Sequence, residues 1–254
     1  KGKWKYIRNY QGFYPDGLQN NYRYRMLAYQ EWRELFKAGK LDDKQSQFFR
    51  PRPAEQLFDL SVDPHEVNDL SGEPQFKKSL LELRSKLNQK LVEMNDLSLY
   101  PESYMIENAL GDPLAFGNSK NEEIKSLVEI ADLAVFPFEK VKTKIKKFLK
   151  TGSVWEKYWA CMVCSQFGKE ANSISPMLKF LVKDDNLMVR MRAMEALALV
   201  AGEDPMPGLI EISNKSSSRI EILLTMNSIA FFRDHHGFEL KTGAFSVSVA
   251  KGEF

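Results

Sequence analysis

Two kinds of hydrophobic pattern follow one another along the chain. Over 4–10, Trp4, Tyr6 and Tyr10 fall on one side of an extended backbone and Lys5, Ile7 and Asn9 on the other, which predicts a sheet strand. A second short strand is predicted over 56–60, Gln56-Leu57-Phe58-Asp59-Leu60. Behind it, Asp63 can cap a helix, Pro64 can take its first position and Glu66 can close a capping box, so a helical turn is expected there. After Gly72-Glu73-Pro74 the apolar residues Phe76, Leu80, Leu83, Leu87, Leu91 and Met94 recur every three or four positions, while Lys77, Glu82, Lys86 and Lys90 take other faces. Such a long amphipathic helix must lie on something apolar, and the sheet holding the two strands is its natural partner.

From about Asn118 the period is helical almost throughout, behind a joint at Leu110-Gly111-Asp112-Pro113. The segment from Trp155 to Gly168 matches the segment from Val189 to Gly202 at a spacing of 34 residues, each ending at glycine. Shorter apolar helices precede them, over 142–150 and 175–182, with polar turns between partners, and a degenerate third copy is expected over 220–232. One hairpin of this kind cannot bury its apolar side alone, so neighbours must stack. The expected fold class is therefore α+β, a small antiparallel sheet packed on a long helix, followed by an all-α helical-repeat domain over 118–240. The tail, 241–254, is irregular; Phe245-Ser246-Val247-Ser248-Val249 alternates like a strand and breaks the helical pattern.

Composition narrows the classes. With 254 residues, 43% hydrophobic and 28% charged, the chain is neither collagen-like nor disordered, and no run of eighteen apolar residues offers a membrane span. A net charge of +2 argues against nucleic acid as a partner by bulk electrostatics. The chain opens at Lys1 without a leader pattern and reads as a processed or cropped piece.

Most candidate chemistry has a plainer reading. Cys161 and Cys164 lie mid-helix without a second pair and read as buried small hydrophobes. His235 and His236 are adjacent and point apart, which is poor metal geometry. The lysines over 140–150 form the polar side of an amphipathic helix. Asp59 and Asp63 suit a strand end and a cap. Phosphate loops, a Gly-x-Ser-x-Gly elbow and paired zinc-protease histidines are all absent. The stretch 11–25 is different: Gln11, Tyr14, Gln19, Asn21, Tyr22 and Arg25 crowd hydrogen-bonding groups and aromatic faces into a loop behind a strand. That density suits a sugar or an anion, and it also suits tyrosines packing the loop down.

Lys5-Tyr6-Ile7-Arg8-Asn9-Tyr10, Gly39-Lys40-Leu41, Phe48-Phe49, Arg50-Pro51-Arg52-Pro53-Ala54-Glu55 and, above all, Leu57-Phe58-Asp59-Leu60 with Asp63-Pro64, Glu66, Asn68 and Leu70 resemble the C-terminal subdomain of type I sulfatases, in the alkaline phosphatase superfamily. The resemblance covers about the first hundred residues, placing a sulfatase subdomain over 1–110. The signature Val189-Arg190-Met191-Arg192-Ala193 with Glu195-Ala196-Leu197 is similar to HEAT-like repeats. The sulfatase resemblance implies a four-stranded antiparallel sheet on the helix over 74–95. It implies hydrolysis of sulfate esters, with a sulfated carbohydrate as substrate and a periplasmic or secreted location. The family's formylglycine, made in a Cys-x-Pro/Ala-x-Arg motif, and its calcium are expected in a preceding domain. No cofactor is expected in this chain, which alone should be inactive. On this reading Gln11, Tyr14, Gln19, Asn21, Tyr22 and Arg25 contact the leaving-group alcohol. The competing readings are a non-enzymatic scaffold in which residues 118–240 bind a protein partner, failing which the repeats stabilise or dimerise the sulfatase, and a polyanion-binding module that uses Lys142, Lys144 and Lys147 of the lysine-rich helix.

Overall fold

The computed structural model describes residues 2–18, 20, 22–241, 243 and 245. The expected tail strand over 245–249 lies outside these, apart from Phe245. By compactness the chain divides into two units, Lys1–Leu87 and Asn88–Phe254.

In the first unit, strand β1 (Trp4–Arg8) leads through a long loop to helix α1 (Leu27–Lys37), a one-turn helix α2 (Asp43–Ser46) and strand β2 (Glu55–Asp59). The strands pair antiparallel with Trp4 opposite Asp59, Tyr6 opposite Leu57 and Arg8 opposite Glu55. Past Arg8 one more bond keeps the same register, from the Asn9 N–H to the Ala54 carbonyl at 2.9 Å. The sheet has two strands among the described residues, where the family resemblance implies four. Helix α3 (Lys77–Glu93) follows a 3-10 turn at Pro74–Phe76, as the periodicity predicts. It is fastened to the sheet at two points: Phe76 packs edge-on against Trp4 at 5.3 Å, and Arg84 grips Glu55 with both arms of its guanidinium.

The helical turn expected at Asp63 does not form. The Asp63 carboxylate does accept two backbone N–H groups, from Val67 at 3.1 Å and Asn68 at 2.8 Å, but Glu66 adopts a left-handed φ of 56°. Both Glu66 oxygens are drawn to the Lys5 ammonium at 2.6 Å instead of closing a capping box.

In the second unit, helices α4 (Glu102–Asn108), α5 (Pro113–Ser119) and α6 (Asn121–Ala131) lead into three helical hairpins among the described residues. These are α7 (Phe138–Thr151) with α8 (Val154–Phe167), α9 (Ser175–Leu181) with α10 (Leu187–Ala201), and α11 (Met206–Lys215) with α12 (Arg219–His236). Each second helix opens on a side-chain cap, Ser153, Asn186 or Ser218, and ends on a glycine at positive φ, Gly168, Gly202 or Gly237. The compact division falls ahead of the 110–113 joint because residues 97–108 pack on the repeats: the Trp159 indole N–H donates to the Leu99 carbonyl at 2.7 Å, and Tyr104 lies 4.6 Å from Trp155.

α8 and α10 are apolar nearly all round, and Cys161 and Cys164 are wholly buried in the former. Desolvation pushes the Cys164 thiol up to about 12 and raises Cys161 as well, so neither is a nucleophile. Glu195 has no solvent exposure and is held by Arg192 at 2.6 Å and by the Ser228 hydroxyl. Removing one partner of such a pair leaves an uncompensated buried charge. Arg192→Met is therefore expected to cost about 3–5 kcal/mol in denaturant unfolding, while Arg192→Met with Glu195→Leu is expected to recover most of it.

Candidate functional site

The first unit holds a cleft of about 430 Å³ between the strands and the segment linking α2 to β2. Its polar lining comes from Asn9, Gln47, Arg50, Arg52 and Gln56, with carboxylates at Asp16, Glu66 and Asp69. The apolar floor is formed by Ile7, Phe48 and Phe58.

Local sequence puts these groups there. In Arg50-Pro51-Arg52-Pro53 each arginine precedes a proline, which excludes helix and favours extended backbone; Arg50 has φ −105° and ψ 153°. Positions two apart on an extended chain share a face, so both guanidinium groups face one side. Arg52 is pinned: its N–H donates to Gly12 at 2.7 Å and its guanidinium meets Asp16 at 3.0 Å. Arg50 is half exposed and pairs with Asp43, itself almost fully exposed, at 2.9 Å, an ion pair worth little in water. Asn9 is buried and its amide donates to Pro53 and to Gln56, both at 2.9 Å, so it ties the two strand ends together under the cleft.

The floor rests on an aromatic layer. Trp32 stacks on Phe48 at 4.7 Å and Phe36 on Phe49 at 4.6 Å, which holds α1 against the turn at Gln47–Phe49. Gly17 threads between this layer and the loop. Its N–H donates to Phe48 at 2.8 Å, its carbonyl accepts from the Tyr24 hydroxyl at 2.9 Å, and a Cβ there would stand 2.5 Å from the Phe49 ring. Burial raises the Tyr24 hydroxyl pKa, so it remains a donor.

Of the loop residues singled out from sequence, those described, Gln11, Tyr14, Tyr22 and Arg25, do not line this cleft. Gln11 is exposed in the turn behind β1, and its carbonyl accepts from the Tyr14 N–H at 3.0 Å. Tyr14 is half-buried with its ring 4.6 Å from Phe13, so it packs the loop down. Tyr22 is 78% exposed and Arg25 is exposed in the 3-10 turn at Arg23–Arg25. Gln19 and Asn21 lie outside the described residues. Among the described loop residues Asp16 alone reaches the cleft lining. The missed residues carried a legible signal, the Arg-Pro-Arg-Pro alternation.

Paired guanidinium groups with carboxamides suit an anion or a polyhydroxylated ligand. The first unit contains no cysteine, and its one histidine, His65, is exposed and does not line the cleft. Among the described residues no group of three or more His, Cys, Asp or Glu side chains is placed to hold a metal ion, and no helix is long and apolar enough to cross a membrane.

The cleft thus lies in a small α+β unit that precedes the helical hairpins. Over 108 residues the chain is 41% identical to an ulvan-active sulfatase of Formosa agariphila, so it is related to a sulfatase across that stretch. The match covers 41% of this chain and 18% of that relative's length. No family model matches the chain, and no solved structure matches it.

Asp63, which does not line the cleft, carries a shifted carboxyl in the first unit. Backbone N–H donors from Asn68 and Val67 hold the Asp63 carboxyl below the usual aspartate range. A carboxyl lowered in the folded state stabilises it above the unfolded value, about pH 4, and that contribution is lost as pH falls through the lower native value. Thermal melts between about pH 6 and about pH 2 should therefore show a steeper fall for the native chain than for Asp63→Asn, with the native chain's advantage present at about pH 6 and closing below about pH 4.

Proposed function

We propose that this chain is the C-terminal part of a sulfatase that hydrolyses sulfate esters of a sulfated carbohydrate, and that its first unit helps hold the alcohol side of the substrate. The observation that carries the reading is the 41% identity over 108 residues to a sulfatase whose name specifies ulvan as its substrate. The cleft supports it, because Arg50, Arg52, Asn9, Gln47 and Gln56 offer cations and amides to a polar or anionic ligand.

The assignment to the type I, formylglycine-dependent enzymes of the alkaline phosphatase superfamily rests on the motifs Leu57-Phe58-Asp59-Leu60 and Asp63-Pro64. Neither cysteine here fits the formylglycine precursor: both are buried mid-helix and neither begins a Cys-x-Pro/Ala-x-Arg motif. The described residues do not fit a calcium site either. Both groups are assigned to a preceding domain, and no chemical step is assigned to this chain. Its own residues bind and orient, with Gln11, Tyr14, Gln19, Asn21, Tyr22 and Arg25 kept as outer contacts on the loop. The hairpins are read as HEAT-like repeats, and a sulfated polysaccharide and a periplasmic or secreted location follow from the same relationship. The scaffold alternative needs an apolar repeat face; on α9 only Phe180 is strongly exposed, at 80%, while Leu178 and Leu181 are buried.

The test is sulfate release from sulfated oligosaccharides by the protein expressed from its complete reading frame. Release is the expected result, with Arg50→Ala raising KM roughly tenfold and leaving kcat within about threefold, as loss of a charge-assisted contact made equally in ground and transition states requires. Absence of sulfate release from every sulfated carbohydrate offered to the mature enzyme overturns the reading.

A further inference from the structure

The second unit carries a strongly charged surface that the cleft chemistry does not use. Helix α7 has six lysines, at 140, 142, 144, 146, 147 and 150, against a single acidic residue, Glu139. Its core side is complete: Phe138, Val141, Ile145 and Leu149 are buried against the neighbouring helices. Opposite that side, Lys140, Lys144 and Lys147 fall within about 60° of one another, with steps of about 6 Å and about 4.5 Å along the axis, and Lys146 and Lys150 flank them. All five are exposed.

Their density on one face distinguishes them. Lys142 meets Glu139 at 3.5 Å and lies over the Phe138 ring, but no carboxylate among the described residues stands within ion-pair distance of Lys140, Lys144, Lys146, Lys147 or Lys150. Other lysines without an ion pair, such as Lys40, Lys44, Lys125 and Lys169, lie singly along the sequence, whereas these five fall within eleven residues of one helix. A chain of net charge +2 has therefore concentrated uncompensated positive charge on one helix face. Leaving five ammonium groups side by side costs self-repulsion, which a linear polyanion laid along the helix would relieve.

We infer that the exposed lysine face of α7 is a second, non-catalytic binding surface for a sulfated polysaccharide, which keeps a polymeric substrate on the protein. This rests on the sulfatase reading for its choice of ligand. The chemistry favours a polysaccharide over nucleic acid. The face contains no arginine, so it lacks the planar fork that recognises phosphate with two bonds, and the rest of the chain is too balanced to wrap a duplex. Lysine point charges on flexible stems suit singly charged sulfate esters strung along a chain, where contact is electrostatic and can slide.

The 254-residue chain and its Lys140→Gln/Lys144→Gln/Lys147→Gln variant would be compared on immobilised dextran sulfate, unsulfated dextran and duplex DNA, with salt gradients. The native chain should be retained on dextran sulfate alone. The triple variant should bind on the order of tenfold more weakly at low salt, with a slope of log K against log salt smaller by about two, close to 0.7 per lost contact. A Lys146→Gln/Lys150→Gln variant should show a smaller loss of the same kind, and it serves if the triple variant does not reach the native melting point. Co-elution of both variants with the native chain overturns the inference, as does equal retention on duplex DNA. Sulfate release by the complete enzyme separates the two readings. With the triple variant, a preserved rate on a short sulfated oligosaccharide and a reduced rate on polymer support both. Lysine-dependent retention without any sulfate release supports the surface and removes the sulfatase.

Discussion

Glu195 is the constraint around which the helical unit is organised. Its carboxylate has no contact with solvent, and an ion in that position costs several kcal/mol to desolvate unless every lone pair is answered. The answers come from three consecutive hairpins. Arg192, one turn earlier on α10, supplies the countercharge; Ser228 on α12 donates its hydroxyl; and the other arm of Arg192 donates to the Tyr158 hydroxyl of α8 at 2.9 Å, with the ring itself 5.0 Å from the guanidinium carbon. A slip of one residue would take from α10 either the Tyr158 hydroxyl on Arg192 or the Ser228 hydroxyl on Glu195. The network is thus a register device, for which a hydrophobic core of equal volume would serve stability as well but alignment less well. Because α8 and α10 are locked by it, α7 has only its other side to offer to water, and its lysines are fixed outward.

Glu55 plays the corresponding part in the first unit. It accepts from Arg84 on α3 and from the Tyr6 hydroxyl on β1 at 2.9 Å, so one side chain joins both strands to the helix. Burial and the Glu55 charge together raise the Tyr6 hydroxyl well above its ordinary pKa, keeping it a donor. A sheet of only two strands is marginal alone, and this clamp, with Trp4 on Phe76, supplies what further strands would otherwise provide. The Arg-Pro-Arg-Pro segment leads directly into Glu55, so the residue that fixes the sheet also fixes where the cleft's two guanidinium groups begin.

What could be read from the sequence depended on range. Period is local, and α3, the two strands and the helical hairpins were legible for that reason, whereas the Ser153, Asn186 and Ser218 caps emerge from the structure. The 34-residue repeat even placed Tyr158 and Arg192 at matching positions, although nothing local said that they would bond. Asp63-Pro64-His65-Glu66 misled because its outcome was decided by Lys5, a residue far away in sequence that competes for Glu66. The site was read in part: the loop over 11–25 was marked by composition, but Tyr14 packs inward on Phe13 and Arg52 reaches across to Asp16. The cleft itself was assembled from Asn9 and Gln56, whose pairing depends on strand register rather than on either local pattern.

The two anion-directed features differ in kind, and the difference follows from the side chains. In the cleft, Arg52 is held by a backbone bond at Gly12 and an ion pair at Asp16, on a segment that prolines have already stiffened. Little entropy remains to be lost when a ligand arrives, and a rigid fork discriminates shape. On α7 the ammonium groups end free-rotating stems, so each contact orders a chain and the net gain per contact is small and strongly screened by salt. A polymer held by many such contacts stays near the protein while each contact exchanges, whereas the arginine cleft engages one residue at a time. Retention by lysines and selection by arginines are then separate tasks, and the sequence divides them, placing the lysines on a repeat helix and the arginines in a proline-stiffened loop.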